Sequence, residues 1–292
     1  MTDLLIDTDV ALGVWHEGRP RDIDDGFAIV EAINSPRINL LGVTCVFGNG
    51  PIDEVYRVAN DIVQLKGADI PVIKGASVAI DRDDDSNEAV SFMADLLSQR
   101  HLTIAAIGPL TNLGLLIQHH PEVLANIEEV IVVAGRSKGA DFYIGETGPV
   151  SDFNFENDVT ALERLMACGV PVVLMGFELT RQVCITQADL LTIGTHASPT
   201  ASYFYENSHA WCEYWTTTFP EDSGFHPWDS ATIAWILDKN MFVYEQRGHV
   251  VTRKPKRLEC DTSFPGIRHT YCTGFAANGT QEFVQTIIRQ VY

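Results

Sequence analysis

Five carboxylates crowd two short stretches near the start of the chain. An apolar run, Leu4 to Ile6, ends in Asp7-Thr8-Asp9, and Asp22-Ile23-Asp24-Asp25 directly precedes a helical pattern. Gathering like charges is costly unless protons or a cation intervene. Ca²⁺ and Mg²⁺, hard ions that take oxygen ligands, are the natural partners of such a cluster. The plainer reading makes Asp22, Asp24 and Asp25 helix caps that complement the dipole, which accounts for one aspartate and poorly for all of them. An EF-hand is excluded, because the required glycine and glutamate are missing from the loop after Asp7 or Asp9.

The elements that must hold this cluster follow from hydrophobic spacing. Short apolar runs at Leu4–Ile6, Asn39–Val46, Pro71–Ile73, Leu102–Ile107, Val130–Ala134 and Pro171–Met175 predict buried strands. Between them Gly26–Asn34, Ile52–Leu65, Glu88–Gln99, Leu110–His119 and Val159–Ala167 carry apolar residues at helical spacing. That alternation predicts an α/β fold with a mainly parallel, Rossmann-like sheet covered by helices on both faces. After Thr180 the pattern becomes mostly helical, with an aromatic-rich segment from Tyr203 to Trp215 and a further helix from about Asp229. No linker or repeat interrupts the chain, so residues 1–292 are expected to form one domain. In open α/β sheets ligands bind at the carboxyl ends of the strands, where the first acidic pair lies.

Composition narrows the partners. The formal net charge of −19 argues against nucleic acid and anionic membranes, and the few basic clusters are too short to reverse that; one of them, Arg253 to Arg257, reads as a solvated strand edge or turn. The six cysteines form no CxxC pair and no zinc-like spacing. With no signal-like or 18-residue apolar segment, the expected compartment is the cytoplasm.

Several motifs in fixed order resemble the inosine-uridine-type nucleoside hydrolases from Leu4 to about Leu237. They are Asp7-Thr8-Asp9, Asp24-Asp25-Gly26-Phe27-Ala28, Gly42 to Asn49, Ile107-Gly108-Pro109-Leu110-Thr111-Asn112, Val132 to Gly135, Asp152-Phe153-Asn154 and Trp228-Asp229-Ser230-Ala231. The resemblance implies calcium-dependent hydrolysis of a ribonucleoside to free base and ribose, by a metal-activated water with Asp9 as base. It implies metal ligation by Asp9, Asp25, Asp229 and the Ile107 carbonyl. Asp24, Asn49 and Asn154 become ribose contacts, Asp152 a carboxylate near the 5′-hydroxyl, and Asp7 a supporting residue. It further implies homodimers or homotetramers.

Two departures bear on the leaving base. The interval Val10 to Ile23 is much longer than the family's usual turn and brings Trp15, His16 and Arg19 to the mouth of the site, as ordinary loop or as residues that contact the base or close the pocket. Trp228 stands where many members carry a histidine that protonates the base. Indole cannot do so, but a purine-preferring branch stacks the base on such a tryptophan, which makes purine nucleosides the expected substrates. His226 is a further candidate for the base pocket. Two other functions stay open: a calcium-dependent nucleoside- or ribose-binding protein impaired in catalysis, and a haloacid dehalogenase-type phosphatase with Asp7 as nucleophile.

Overall fold

Strand β1 (Thr2–Thr8) carries the first acidic pair into the middle of the molecule, and the computed structural model describes every residue from 1 to 292 around it. A two-residue-turn hairpin, β2 (Trp15–His16) and β3 (Arg19–Pro20), fills the long interval before α1 (Asp24–Asn34). Then come β4 (Ile38–Cys45), α2 (Ile52–Leu65), β5 (Val72–Lys74), α3 (Glu88–Gln99), β6 (Leu102–Ala106), α4 (Thr111–His119), β7 (Ile127–Val133) and the short β8 (Arg136–Ser137). Helices α5 (Phe153–Asn157) and α6 (Val159–Ala167) lead to β9 (Val172–Met175) and α7 (Phe177–Thr180). The remainder comprises β10 (Ile185–Thr186), α8 (Gln187–Gly194), α9 (Pro199–Thr218), β11 (Gly224–Phe225), α10 (Ser230–Leu237), β12 (Phe242–Arg253), β13 (Lys256–Asp261), β14 (His269–Phe275) and α11 (Gly279–Gln290).

One ten-stranded sheet runs in the order β5-β4-β1-β6-β7-β9-β14-β12-β13-β8. From β5 to β14 every neighbouring pair is parallel, which requires the helical crossovers that the sequence alternation predicts. Leu4 and Ile6 belong to the larger apolar cluster and Leu5 to the other, as expected of a strand buried on both faces.

The helical C-terminal part is present as α8, α9, α10 and α11. Between α10 and α11 the chain returns to the sheet as antiparallel β12 and β13 and as β14, which the hydrophobic pattern did not single out. Most side chains of β12 are exposed or half-buried, so that strand lacks the apolar signature used to find the others. The basic run at Arg253 to Arg257 is the tip of the β12–β13 hairpin. No helix is long and apolar enough to cross a membrane.

Because β1, β4, β6, β7 and β9 point the same way, the segments leaving their carboxyl ends meet at one edge of the sheet. Asp9, Asn49, Ile107, Ala134 and Phe177 all follow those strand ends.

Candidate active site

The two aspartates of Asp7-Thr8-Asp9 have separate surroundings, although both are fully buried. Asp7 Oδ1 accepts from Thr44 Oγ1 at 2.7 Å and from Asn112 Nδ2 at 2.8 Å. Asn112 also donates to the Cys45 carbonyl and accepts from the Ala76 amide, so Asp7 is sewn into the loops after β4, β5 and β6. Its Oδ2 is buried with no hydrogen-bond partner, and like Asp9 and Asp25 it stands behind the lining of the cavity described below. Burial pushes its carboxyl up to about 7.

Asp9 Oδ2 accepts the Asn49 amide at 2.7 Å, while Oδ1 is buried with no hydrogen-bond partner. Gly48 makes this possible, because a Cβ there would lie 2.1 Å from Asp9 Oδ2. Asp25 Oδ1 accepts from the Thr8 hydroxyl and from the Asp9 amide, and its Oδ2 is likewise buried without a partner. Asp24 Oδ2 accepts the Asp229 amide at 3.0 Å, tying the start of α1 to the start of α10 across the chain. Asp24, Asp25 and Asp229 each bring one carboxylate oxygen within 4.8 Å of the others. The tightest convergence thus includes Asp24, which was expected at the ribose, and Asp9 flanks it.

Burial, then mutual repulsion, raises the acids of this cluster. Asp25 stands at about 7, and Asp9, Asp24 and Asp229 lie well above the ordinary carboxylate range. A buried carboxylate oxygen without a donor is normally supplied with a proton or a cation. Two such oxygens, on Asp9 and Asp25, beside a convergent all-oxygen set suit a hard divalent ion.

Beside the cluster opens a cavity of about 350 Å³, a size suited to a small organic ligand. At its acidic end stand Asp22, Asp24, Asn49, Ile107, Asn154 and Asp229. Asn154 Nδ2 donates to the Ile107 carbonyl at 3.0 Å, orienting that carbonyl at the site. Asp152, also lining, accepts the Gly135 amide at 3.0 Å and lies 4.0 Å from Arg136. Burial raises Asp152 to about 7 despite that cation.

The other end is aromatic. Trp228 lies nearly parallel to Phe177, with 5.7 Å between ring centroids, and Phe177 stacks on Phe142 at 4.1 Å. Trp211, Tyr214 and Trp215 of α9 face the cavity too, so part of the aromatic stretch that would ordinarily be core walls this pocket.

Three base-contact candidates lie elsewhere. Trp15 is 65% exposed and, like His16, does not line the cavity, because the hairpin turns Arg19 toward it instead. His226 is buried behind Trp228, its Nδ1 against the Val183 carbonyl at 2.6 Å and its Nε2 against Asp222 at 3.0 Å. With both ring nitrogens engaged, it has none left for a ligand. Sequence reading passed over Phe142, Phe177 and Asp22 as lining residues. Phe177 had a usable signal in following a strand end directly, whereas Phe142 sits in an irregular loop without pattern.

The pyrimidine-specific ribonucleoside hydrolase RihA of Enterobacter sp. (strain 638) is 30% identical over 254 residues, which cover 77% of this chain and 79% of that protein. Probable uridine nucleosidase 2 of Arabidopsis thaliana is 27% identical, with 77% of each chain covered. In fold the chain is similar to the purine-preferring ribonucleoside hydrolase from Gardnerella vaginalis, with a TM-score of 0.84 at 20% identity over 99% of this chain and 98% of that one. The model of the inosine-uridine preferring nucleoside hydrolases matches residues 4–273, and on that match the chain belongs to this family of metal-dependent enzymes.

Proposed function

We propose that the enzyme hydrolyses the N-glycosidic bond of ribonucleosides in a calcium-dependent reaction, releasing free base and ribose, with purine nucleosides preferred. The observation that carries this is the pair of buried, partnerless oxygens on Asp9 and Asp25 beside the carboxylates of Asp24 and Asp229, which themselves line a nucleoside-sized cavity. Asp9, Asp25, Asp229 and the Ile107 carbonyl are the proposed ligands. Asp24 is assigned to the ribose because it faces the open cavity and one of its oxygens already holds the Asp229 amide. When bound, calcium would supply a lowered water pKa and a grip on the ribose diol.

The chain's own groups account for the rest. Asp9 Oδ1 takes the proton of the water that attacks C1′, while the Asn49 amide fixes the other oxygen and so the direction of the free one. Negative charge on Asp24 and Asp229 favours the oxocarbenium-like state through which C1′ passes. Asn49 and Asn154 position the ribose hydroxyls, and Asp152 keeps one oxygen free for the 5′-hydroxyl. Trp228, backed by Phe177, offers an apolar plane for the base. Among the relatives one is named pyrimidine-specific and another purine-preferring, and the wide aromatic wall supports the purine reading here.

A panel of inosine, guanosine, adenosine, uridine and cytidine scored for free reducing sugar tests this reading. Release is expected, fastest from a purine nucleoside, and Asp9→Ala is expected to abolish it. Calcium binding without sugar release from any ribonucleoside would exclude the enzyme reading in favour of a binding protein.

A further inference from the structure

Breaking the bond from C1′ to the base sends an electron pair onto the base, and something at the aromatic end must accommodate that charge. Neither Trp228, which has no acidic proton to give, nor His226, whose nitrogens are both occupied, can do so. One cationic side chain lines the cavity, that of Arg19. Its guanidinium lies over the Tyr214 ring at 5.6 Å from the centroid, which places it against the aromatic wall. It makes no ion pair and no side-chain hydrogen bond, although the chain is strongly acidic.

The hairpin that carries Arg19 is preformed. Glu17 and Gly18 both take positive φ, 52° and 77°, the signature of a tight two-residue hairpin turn. Arg21, almost fully buried, donates from Nε to the His16 carbonyl at 3.2 Å and pairs with the Glu17 carboxylate. Thus the neighbouring arginine braces the turn and Arg19 is left for a ligand.

We infer that Arg19 receives the leaving base and makes the enzyme selective for 6-oxopurine ribonucleosides, an inference that rests on the hydrolase reading above. A guanidinium presents parallel N–H groups, and the matching pair of adjacent acceptors is O6 and N7 of a 6-oxopurine. Adenine places an amino donor at the same edge, and uracil offers no adjacent pair of acceptors. As the C1′–N9 bond breaks, its electron pair enters the purine ring and spreads to N7 and O6, where Arg19 stabilises it. The water oxygen bonds to C1′, Asp9 takes its proton, and solvent later protonates the base anion. Arg19 gives up no proton.

Steady-state kinetics of the wild type, Arg19→Ala and Arg19→Lys on inosine, adenosine and p-nitrophenyl β-D-ribofuranoside test the assignment. Nitrophenolate leaves without assistance, so the riboside reports the intact ribose and water machinery. Arg19→Ala is expected to lower kcat/KM for inosine roughly 10–100-fold, the scale of a hydrogen bond to a charged group, with kcat carrying most of the loss. Adenosine and the nitrophenyl riboside should change little, and Arg19→Lys should recover part of the inosine rate. Equal loss on all three substrates would make Arg19 merely a brace of the hairpin and overturn the inference, as would no loss on any. If the wild type cleaves the nitrophenyl riboside but no nucleoside faster than adenosine, the hydrolase reading stands and this one falls. Turnover of none of the three would overturn both.

Discussion

Asp9 and Asp7 sit two positions apart on one strand end, and each keeps one buried oxygen without a donor. They differ in the other oxygen: that of Asp7 is held by the side chains of Thr44 and Asn112, whereas that of Asp9 takes the Asn49 amide. The sequence made the cluster legible because strand ends and helix starts are legible. Spacing alone did not separate the two roles, which only the family resemblance assigned, since hydrogen-bond partners come from loops distant in the chain. The same limit misplaced His226, whose partners are Val183 and Asp222, and Trp15, which the hairpin leaves in solvent. At this scale Trp228 offers a direct test. Stacking on an aromatic plane is worth about 1–3 kcal/mol per base, so Trp228→Ala should reduce kcat/KM for purine nucleosides about 10–100-fold, measured by initial rates. An unchanged value would place the base elsewhere in the cavity.

Elements decide whether those side chains arrive together. The parallel strands and their crossover helices follow from apolar runs, and Ile52–Leu65, Glu88–Gln99 and Val159–Ala167 match the observed helices end for end. Helix α1 begins at Asp24 rather than Gly26, so both acids of that pair belong to its first turn, where the helix dipole favours them. The β12–β14 extension was not readable, because largely solvated strands carry no hydrophobic period. The loop after β4 shows how closely an element is fitted to its site. A methyl at Gly48 would come within 2.1 Å of Asp9 Oδ2, at a backbone φ of 158° that L side chains rarely adopt. Gly48→Ala should therefore lower the melting temperature and reduce kcat at least about 10-fold, since small displacements of a catalytic group cost this much or more. Parallel melting and kinetic measurements would show both losses, and full activity in the variant would contradict the placement of Asp9.

Across the molecule, buried acids make stability depend on pH and on a bound cation. Glu31, buried on α1, accepts from Ser230 at the start of α10, and burial raises it to about 8. In the unfolded chain a glutamate titrates near 4.3, so this group's contribution is fully present below about pH 4.3 and is lost as pH rises through about 8. Glu31→Gln keeps the acceptor for Ser230 and removes the buried charge. Its melting temperature should match the wild type near pH 5 and exceed it at pH 9 by a few degrees, whereas a lower value at pH 9 would show that the charge is compensated. The carboxylates around Asp25 pose the same problem at the site, and there a cation is the proposed remedy. The most direct test strips the enzyme with a chelator, then follows calcium binding and sugar release from inosine in the same samples. The stripped enzyme should be inactive and recover as calcium binds, while Asp25→Asn and Asp229→Asn should lose binding and activity together. Undiminished sugar release after chelation, or from Asp25→Asn with no calcium bound, would contradict the assignment of this cluster as the metal site that drives hydrolysis.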